Sequence, residues 1–291
     1  MNIKIGEYML RVLDCGVFKL DGGAMFGVVP KTIWNKTNPS DELNRITLGL
    51  RPLLIEGRGR KILIDAGIGD KFNDKYREIY GISNSGKSVA EELSRINLSC
   101  GDITDIIITH LHFDHCGGFA SYDPGGRPEL LFKNASIFIQ KSHYEVALSP
   151  SDRDRASFIK DNIDPIISSP NLKIVEGDVN IFEGVTMKVF NGHTSGMQAV
   201  FIESEGESAC YLSDLAPTVS HVPIPFIMGY DLRPLVIIDE KKKMFDELIA
   251  KGSYAIFEHE HLTPVGKIAR NEKGYYFEKV FHQNSQCGDN L

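Results

Sequence analysis

Ile106-Ile107-Ile108-Thr109-His110-Leu111-His112-Phe113-Asp114-His115-Cys116-Gly117-Gly118 is the stretch on which the reading of this 291-residue chain turns. Three consecutive isoleucines predict a short strand buried on both faces. The polar residues that follow then lie beyond a strand's end, where α/β folds place their sites. His110, His112, Asp114 and His115 crowd imidazole nitrogens and carboxylate oxygens into six positions, and these donors suit Zn, Mn, Fe or Co. In extended chain His110 and His112 project alike, whereas the adjacent Asp114 and His115 point apart and can serve a second ion beside the first. Gly117 and Gly118 permit close backbone approach. Unrelated surface polar residues in a loop are the plainer alternative, and the density of the cluster speaks against it. Cys116 reads as a small buried filler rather than a ligand.

Working outward, Thr47 to Glu56 and Lys61 to Ile64 read as a hairpin about the turn Gly57-Arg58-Gly59. Lys71 to Tyr80 and Ser88 to Ile96 carry apolar positions three or four apart, which predicts helices. Downstream, strands are expected at Ser136 to Ile139, Val185 to Phe190, Gln198 to Glu203, Ala209 to Leu212 and Tyr254 to Phe257, with a helix from Asp239 to Ala250. No linker or low-complexity tract divides the halves, so a single α/β domain over residues 1–291 is expected, with helices outside packed sheets. The glycine-rich segment Asp21 to Lys31, followed by Trp34, has two readings: a pocket wall, or a hairpin whose Phe26 and Trp34 pack in the core.

Composition narrows the function. An apolar content of 42% is that of a chain that buries a real core. With 39 acidic against 32 basic residues the net charge is -7, which repels phosphate backbones and makes nucleic acid a disfavoured partner. Cys15, Cys100, Cys116, Cys210 and Cys287 are odd in number and form no C-x-x-C pair, which fits a reducing cytoplasm. Met1 to Leu10 lacks the apolar run of a signal peptide, and no later run reaches the length of a membrane span.

The H-x-H-x-D-H pattern of His110 to His115 resembles the signature of the metallo-β-lactamase superfamily, and further segments match that family in order. Ile62-Leu63-Ile64-Asp65-Ala66-Gly67 looks like its early strand-Asp-Gly segment. Gly192-His193-Thr194-Ser195-Gly196 looks like its third ligand motif, with Ser195 where proline is common. Leu212-Ser213-Asp214 looks like the bridging-aspartate motif, and Phe257-Glu258-His259-Glu260 like the terminal-histidine segment. The resemblance implies a four-layer αβ/βα sandwich. It also implies that His110, His112 and His193 hold one divalent ion, that Asp114, His115 and His259 hold a second, and that Asp214 bridges them. Zinc is the expected metal, with Mn, Fe or Co as alternatives. Read alone, His193 is more readily a turn residue than a ligand, and Asp214 has a helix cap or turn as its alternative, although its place after an apolar strand favours the bridge. His261 competes with His259 for the last position, which His259 takes by its place directly after the strand. Asp65 reads either as a group that orients a ligand histidine or as a turn former.

A two-metal set of this kind implies a hydrolase in which a shared hydroxide attacks a carbonyl or phosphoryl centre, with Asp114 protonating the leaving group. Asp21 to Trp34 and Met228-Gly229-Tyr230-Asp231-Leu232 are similar to the branch holding N-acyl homoserine lactonases and methyl parathion hydrolase. That similarity implies a small, partly apolar lactone, ester or phosphotriester as substrate. Tyr230 is expected near the pocket, and His221 reads as ordinary loop packing. A homodimer is left open. The alternatives are a glyoxalase-II-like thioesterase or phosphodiesterase with the same ligands, a mononuclear iron oxygenase resembling persulfide dioxygenases, and a binding protein that has lost turnover.

Overall fold

In the computed structural model, which describes residues 1–280, Ile106, Ile107 and Ile108 are fully buried. The reason is position: the Asp105–Ile107 strand runs parallel to Arg60–Ile64 on one side and to Ser136–Gln140 on the other, so it has no free edge, and a core covers each of its faces. Its sheet has seven strands, in the order Asn2–Ile5, Tyr8–Val12, Leu53–Gly57, Arg60–Ile64, Asp105–Ile107, Ser136–Gln140 and Leu172–Val175. A second seven-stranded sheet runs Val179–Phe182, Val185–Phe190, Met197–Ser204, Glu207–Tyr211, Tyr254–Ile256, Val265–Asn271 and Gly274–Glu278.

Strand alternation distributes side chains between two cores. Ile62, Ile64 and Ile107 face a core shared with Val185, Val200, Tyr211 and Ile256 of the second sheet. Leu63, Ile106 and Ile108 face the opposite side and pack with Val89 and Leu93 of the Val89–Arg95 helix and Ile163 and Ile166 of the Lys160–Ile167 helix. Phe201 and Cys210 of the second sheet point outward against Ile237, Met244 and Phe245 of the Pro234–Lys251 helix. Helix, sheet, sheet and helix are therefore stacked in that order, the four-layer sandwich the sequence implied. Among the described residues no helix is long and apolar enough to cross a membrane.

Several expected elements differ. Thr47 to Glu56 is two strands, because Arg51-Pro52 breaks it and proline cannot donate to a ladder. Arg45–Gly49 pairs with Val17–Asp21 in a separate ribbon, and only Leu53–Gly57 forms the hairpin with Arg60–Ile64. The helix expected from Lys71 begins at Asp74, capped by Asn73 Oδ1 on Tyr76 N at 3.1 Å, since Lys71 instead turns its ammonium onto Gly117 O at 2.6 Å. The helix expected from Asp239 begins at Pro234, which suits a first helical position. Its start was hidden because Leu235 and Val236 are apolar yet exposed, which blurs the helical period. The Asp21 to Trp34 segment is not a hairpin. It forms two short helices, Gly22–Phe26 and Lys31–Trp34, with Phe26 stacked on Trp34 in the core at 5.5 Å between ring centroids.

Candidate metal centre

The loop after the Asp105–Ile107 strand is shaped by its first polar residue. Thr109 is drawn inward by two bonds to Asp65, N to Oδ1 at 2.8 Å and Oγ1 to Oδ2 at 2.6 Å. Asp65 reaches them from a left-handed backbone with φ of 56°, a region that short polar side chains tolerate best. His112 then opens a single helical turn, Phe113–Cys116. Asp114 and His115, expected to point apart, lie on that turn, and their donor atoms fall within 4.8 Å of each other and of His259. Close packing of backbones holds the turn against the first sheet. A Cβ on Gly117 would come within 2.2 Å of Ile68 O, and one on Gly118 within 2.1 Å of Ala66 O.

Two groups of donors result. His110, His112 and His193 have ligand atoms within 4.8 Å of one another, as do Asp114, His115 and His259. Asp214 stands between the groups. Its Oδ2 lies 3.3 Å from His193 Nε2 and 3.8 Å from His110 Nε2, while its Oδ1 lies 3.3 Å from His259 Nε2 and 3.5 Å from His115 Nε2. All seven side chains are buried or nearly so. Among the described residues His261 belongs to neither group; its carbonyl accepts from Arg51 Nη2 at 3.2 Å.

The rings are turned by their outer nitrogens. His193 Nδ1 donates to Asp231 Oδ1 at 2.9 Å, and His259 Nδ1 to Gly49 O at 2.9 Å. His115 Nδ1 faces two carboxylates, Glu258 Oε2 at 2.8 Å and Asp65 Oδ2 at 3.1 Å. Each of these contacts turns Nε2 inward, the arrangement that orients metal-binding histidines. Two atoms of the site lack partners: His110 Nε2 and Asp214 Oδ1 are buried without a hydrogen bond among the described residues, while His112 turns Nδ1 onto His193 Nε2 at 3.2 Å. His115 Nε2 and His259 Nε2 lie 3.1 Å apart, lone pair against lone pair once both Nδ1 atoms hold protons. Convergent, partnerless acceptors in a buried space fit divalent cations, because a cation removes the cost of leaving them unsatisfied.

Electrostatics agree. Burial and the neighbouring imidazoles push the pKa of His110 and His112 well below the ordinary histidine value, so both rings are neutral and able to ligate. Burial alone would raise Asp214, but without a cation the site pairs its carboxylate with His115, His193 and His259, which hold it well below the usual range. Those rings are themselves raised against burial by the carboxylates around them, and a bound cation would take the place of their protons. Burial, then the nearby Glu258, push Asp65 up to about 8. Asp65 thus combines both of its readings, turning the chain and bonding the far side of His115. Cys116 is a buried filler whose thiol burial pushes up to about 12.

Other expected residues divide. Tyr230 and Met25 line the cavity above the donors. His221 does not; it stacks on Phe26 at 4.6 Å and donates from Nε2 to Met25 O at 2.8 Å. Three supporting residues carry no sequence signal that reveals their part. Asp231 and Glu258 gain theirs only through folding. His143 joins two ligand loops, accepting Leu111 N on Nε2 at 2.7 Å and donating from Nδ1 to Ser195 O at 3.0 Å.

Residues 52–250 match the family model described as "Metallo-beta-lactamase superfamily". The chain is 30% identical over 216 residues to N-acyl homoserine lactonase AiiA of Bacillus thuringiensis subsp. kurstaki, covering 70% of this chain and 78% of that protein. Among solved structures, a probable metal-dependent hydrolase from Staphylococcus aureus superposes with a TM-score of 0.84 at 30% identity, over 96% of this chain and 100% of that one. AidC, a dizinc quorum-quenching lactonase solved with a product, superposes with a TM-score of 0.81 at 22% identity over 98% of each chain.

Proposed function

The chain belongs to the metallo-beta-lactamase superfamily and is a metal-dependent hydrolase, and on that premise we propose that it opens a lactone or cleaves a related small ester at a two-metal centre. His110, His112 and His193 would hold one ion, Asp114, His115 and His259 the other, with Asp214 shared. The observation that carries this reading is the division of Asp214, whose two oxygens face different nitrogen groups. A single-ion site, as in the iron-oxygenase alternative, would leave the second group without purpose. Zinc is the metal the donor set favours, and the dizinc neighbour of like fold supports it.

When bound, paired divalent cations lower the pKa of a water molecule and polarise the substrate oxygen. The chain's own residues supply the rest. Asp231, Gly49 and the Asp65-Glu258 pair hold three rings in place from behind. Leu20, Met25, Phe113 and Met228 give the cavity apolar walls, which suit an uncharged acyl body and shed water from the reacting centre. Asp114 lines the same cavity and is the residue placed to hand a proton to the departing alkoxide. Compared with wild type at matched metal content, Asp114→Asn is expected to lower turnover by about 10² or more; full turnover would remove that role.

Four cysteines among the described residues, Cys15, Cys100, Cys116 and Cys210, are unpaired thiols, which supports a reducing compartment; Cys287 lies outside the described residues. The thioesterase and phosphodiesterase readings want gathered cations, and among the described residues Arg153 is the only lysine or arginine lining the cavity. The deciding experiment measures metal content and hydrolysis of a lactone, a phosphotriester, a thioester and a phosphodiester on one preparation. Two equivalents of metal and fastest turnover of the lactone or an activated ester are expected. Turnover of the phosphodiester alone would overturn the substrate assignment.

A further inference from the structure

Arg153 stands at the mouth of the cavity, exposed, on the wall formed by residues 153–157. Its neighbour Arg155 is paired with Asp152, whereas no ion pair engages Arg153 among the described residues. The hydrogen bonds it makes use Nη2 alone, to Gly229 O at 2.5 Å and Asp231 O at 3.5 Å. They draw it towards the opposite wall, where Tyr230 sits between the two carbonyls. A guanidinium has five N–H donors, so among the described residues Nε and both hydrogens of Nη1 remain free at the rim. Gly229 is itself anchored, donating to Ala24 O at 2.7 Å, which gives the guanidinium a fixed seat rather than a wandering one.

We propose that Arg153 is a specificity-determining residue that donates to a second acceptor oxygen on the substrate, an amide carbonyl or a carboxylate carried on the part that leaves the cavity. The inference rests on the lactone and ester reading above. It narrows the substrate class to esters or lactones with an apolar body and one further strong acceptor. A lone guanidinium with free donors on Nε and Nη1 suits a single oxygen; dianionic phosphates are better held by several cations or a bidentate fork.

The test compares metal-loaded wild type with Arg153→Met and Arg153→Lys on two lactones of equal chain length, one bearing a ring amide as in an N-acyl homoserine lactone, the other a plain alkyl lactone. A charged hydrogen bond predicts that Arg153→Met lowers the preference for the amide lactone, as the ratio of kcat/KM values, by about tenfold or more. The loss should fall mainly on KM and be partly restored by lysine. An anionic arm, a lactone carrying a carboxylate, tells the two acceptors apart by which ratio moves most. If the variant slows both parent lactones alike, or neither, Arg153 only ties the two walls together and the inference is overturned. Failure of the wild type to open any of these lactones would instead overturn the lactone reading, a result visible before any variant is made.

Discussion

Asp231 shows how a residue outside the donor set governs it. One oxygen accepts from His193 Nδ1 and the other from Met228 N at 2.8 Å, so it fixes a ligand ring and a cavity wall at once. Asp231→Ala should weaken metal binding about 10- to 100-fold, measured by competition with a chromophoric chelator; unchanged affinity would refute the role. His221 gives a pH signature. Burial pushes its pKa down to about 3 from 6.5, so between those values the unfolded chain binds the proton and the native one does not. Stability is therefore fully present above pH 6.5 and falls as pH drops towards 3, by at most about 1.4 kcal/mol per pH unit. Urea unfolding of metal-free wild type and His221→Gln at pH 7 and pH 5 should show a shallower loss in the variant; identical slopes would mean that His221 is protonated in the fold. At this scale the sequence was legible where donors are contiguous, as in His110 to His115. It was mute on Asp231, Glu258 and His143, whose significance lies in what folding brings beside them.

At the scale of elements, legibility followed burial symmetry. Val185–Phe190 has the bounds expected for it, and the isoleucine strand differs by one residue at each end, its two faces being buried in separate cores. The Thr47 to Glu56 run misled because two strands serving different sheets are both apolar, and only the Arg51-Pro52 break separates them. The long helix hid its first turn for the converse reason, exposed apolar residues at Leu235 and Val236. That helix also carries a buried lysine. Lys241 Nζ donates to Phe226 O at 2.8 Å, Pro223 O at 3.3 Å and Ile224 O at 3.4 Å, holding the loop that leads to Met228 and Tyr230. Lys241→Met strands three carbonyls and should cost roughly 1–3 kcal/mol in urea unfolding. Gly117→Ala forces a Cβ into Ile68 O and should cost about 1–3 kcal/mol by overpacking. A thermal midpoint equal to wild type would show that the turn yields easily.

For the whole molecule, the sandwich and its order of motifs were readable through the family resemblance, while the ribbon of Val17–Asp21 with Arg45–Gly49 and the order of strands were not, since pairing partners leave no mark on a single strand. The two sheets share one core, and the donors come from loops of both, so binding and folding are linked. Chelation should lower the unfolding midpoint in one cooperative step, with about 2.7 kcal/mol lost per site for metal held at a hundredfold excess over its Kd. Two separated transitions, or a midpoint indifferent to chelator, would contradict that coupling.

The clasp between His259 and Gly49 has a temporal side. Gly49 N donates to His259 O at 2.8 Å while His259 Nδ1 returns a bond to Gly49 O, so an early ribbon waits for the last donor in the chain. On the two-ion reading proposed above, a nascent polypeptide can gather His110, His112, His193 and Asp214 while still on the ribosome, but the second cage stays open until His259 has been translated. On that reading, a product that stopped upstream of that histidine would hold one ion at most.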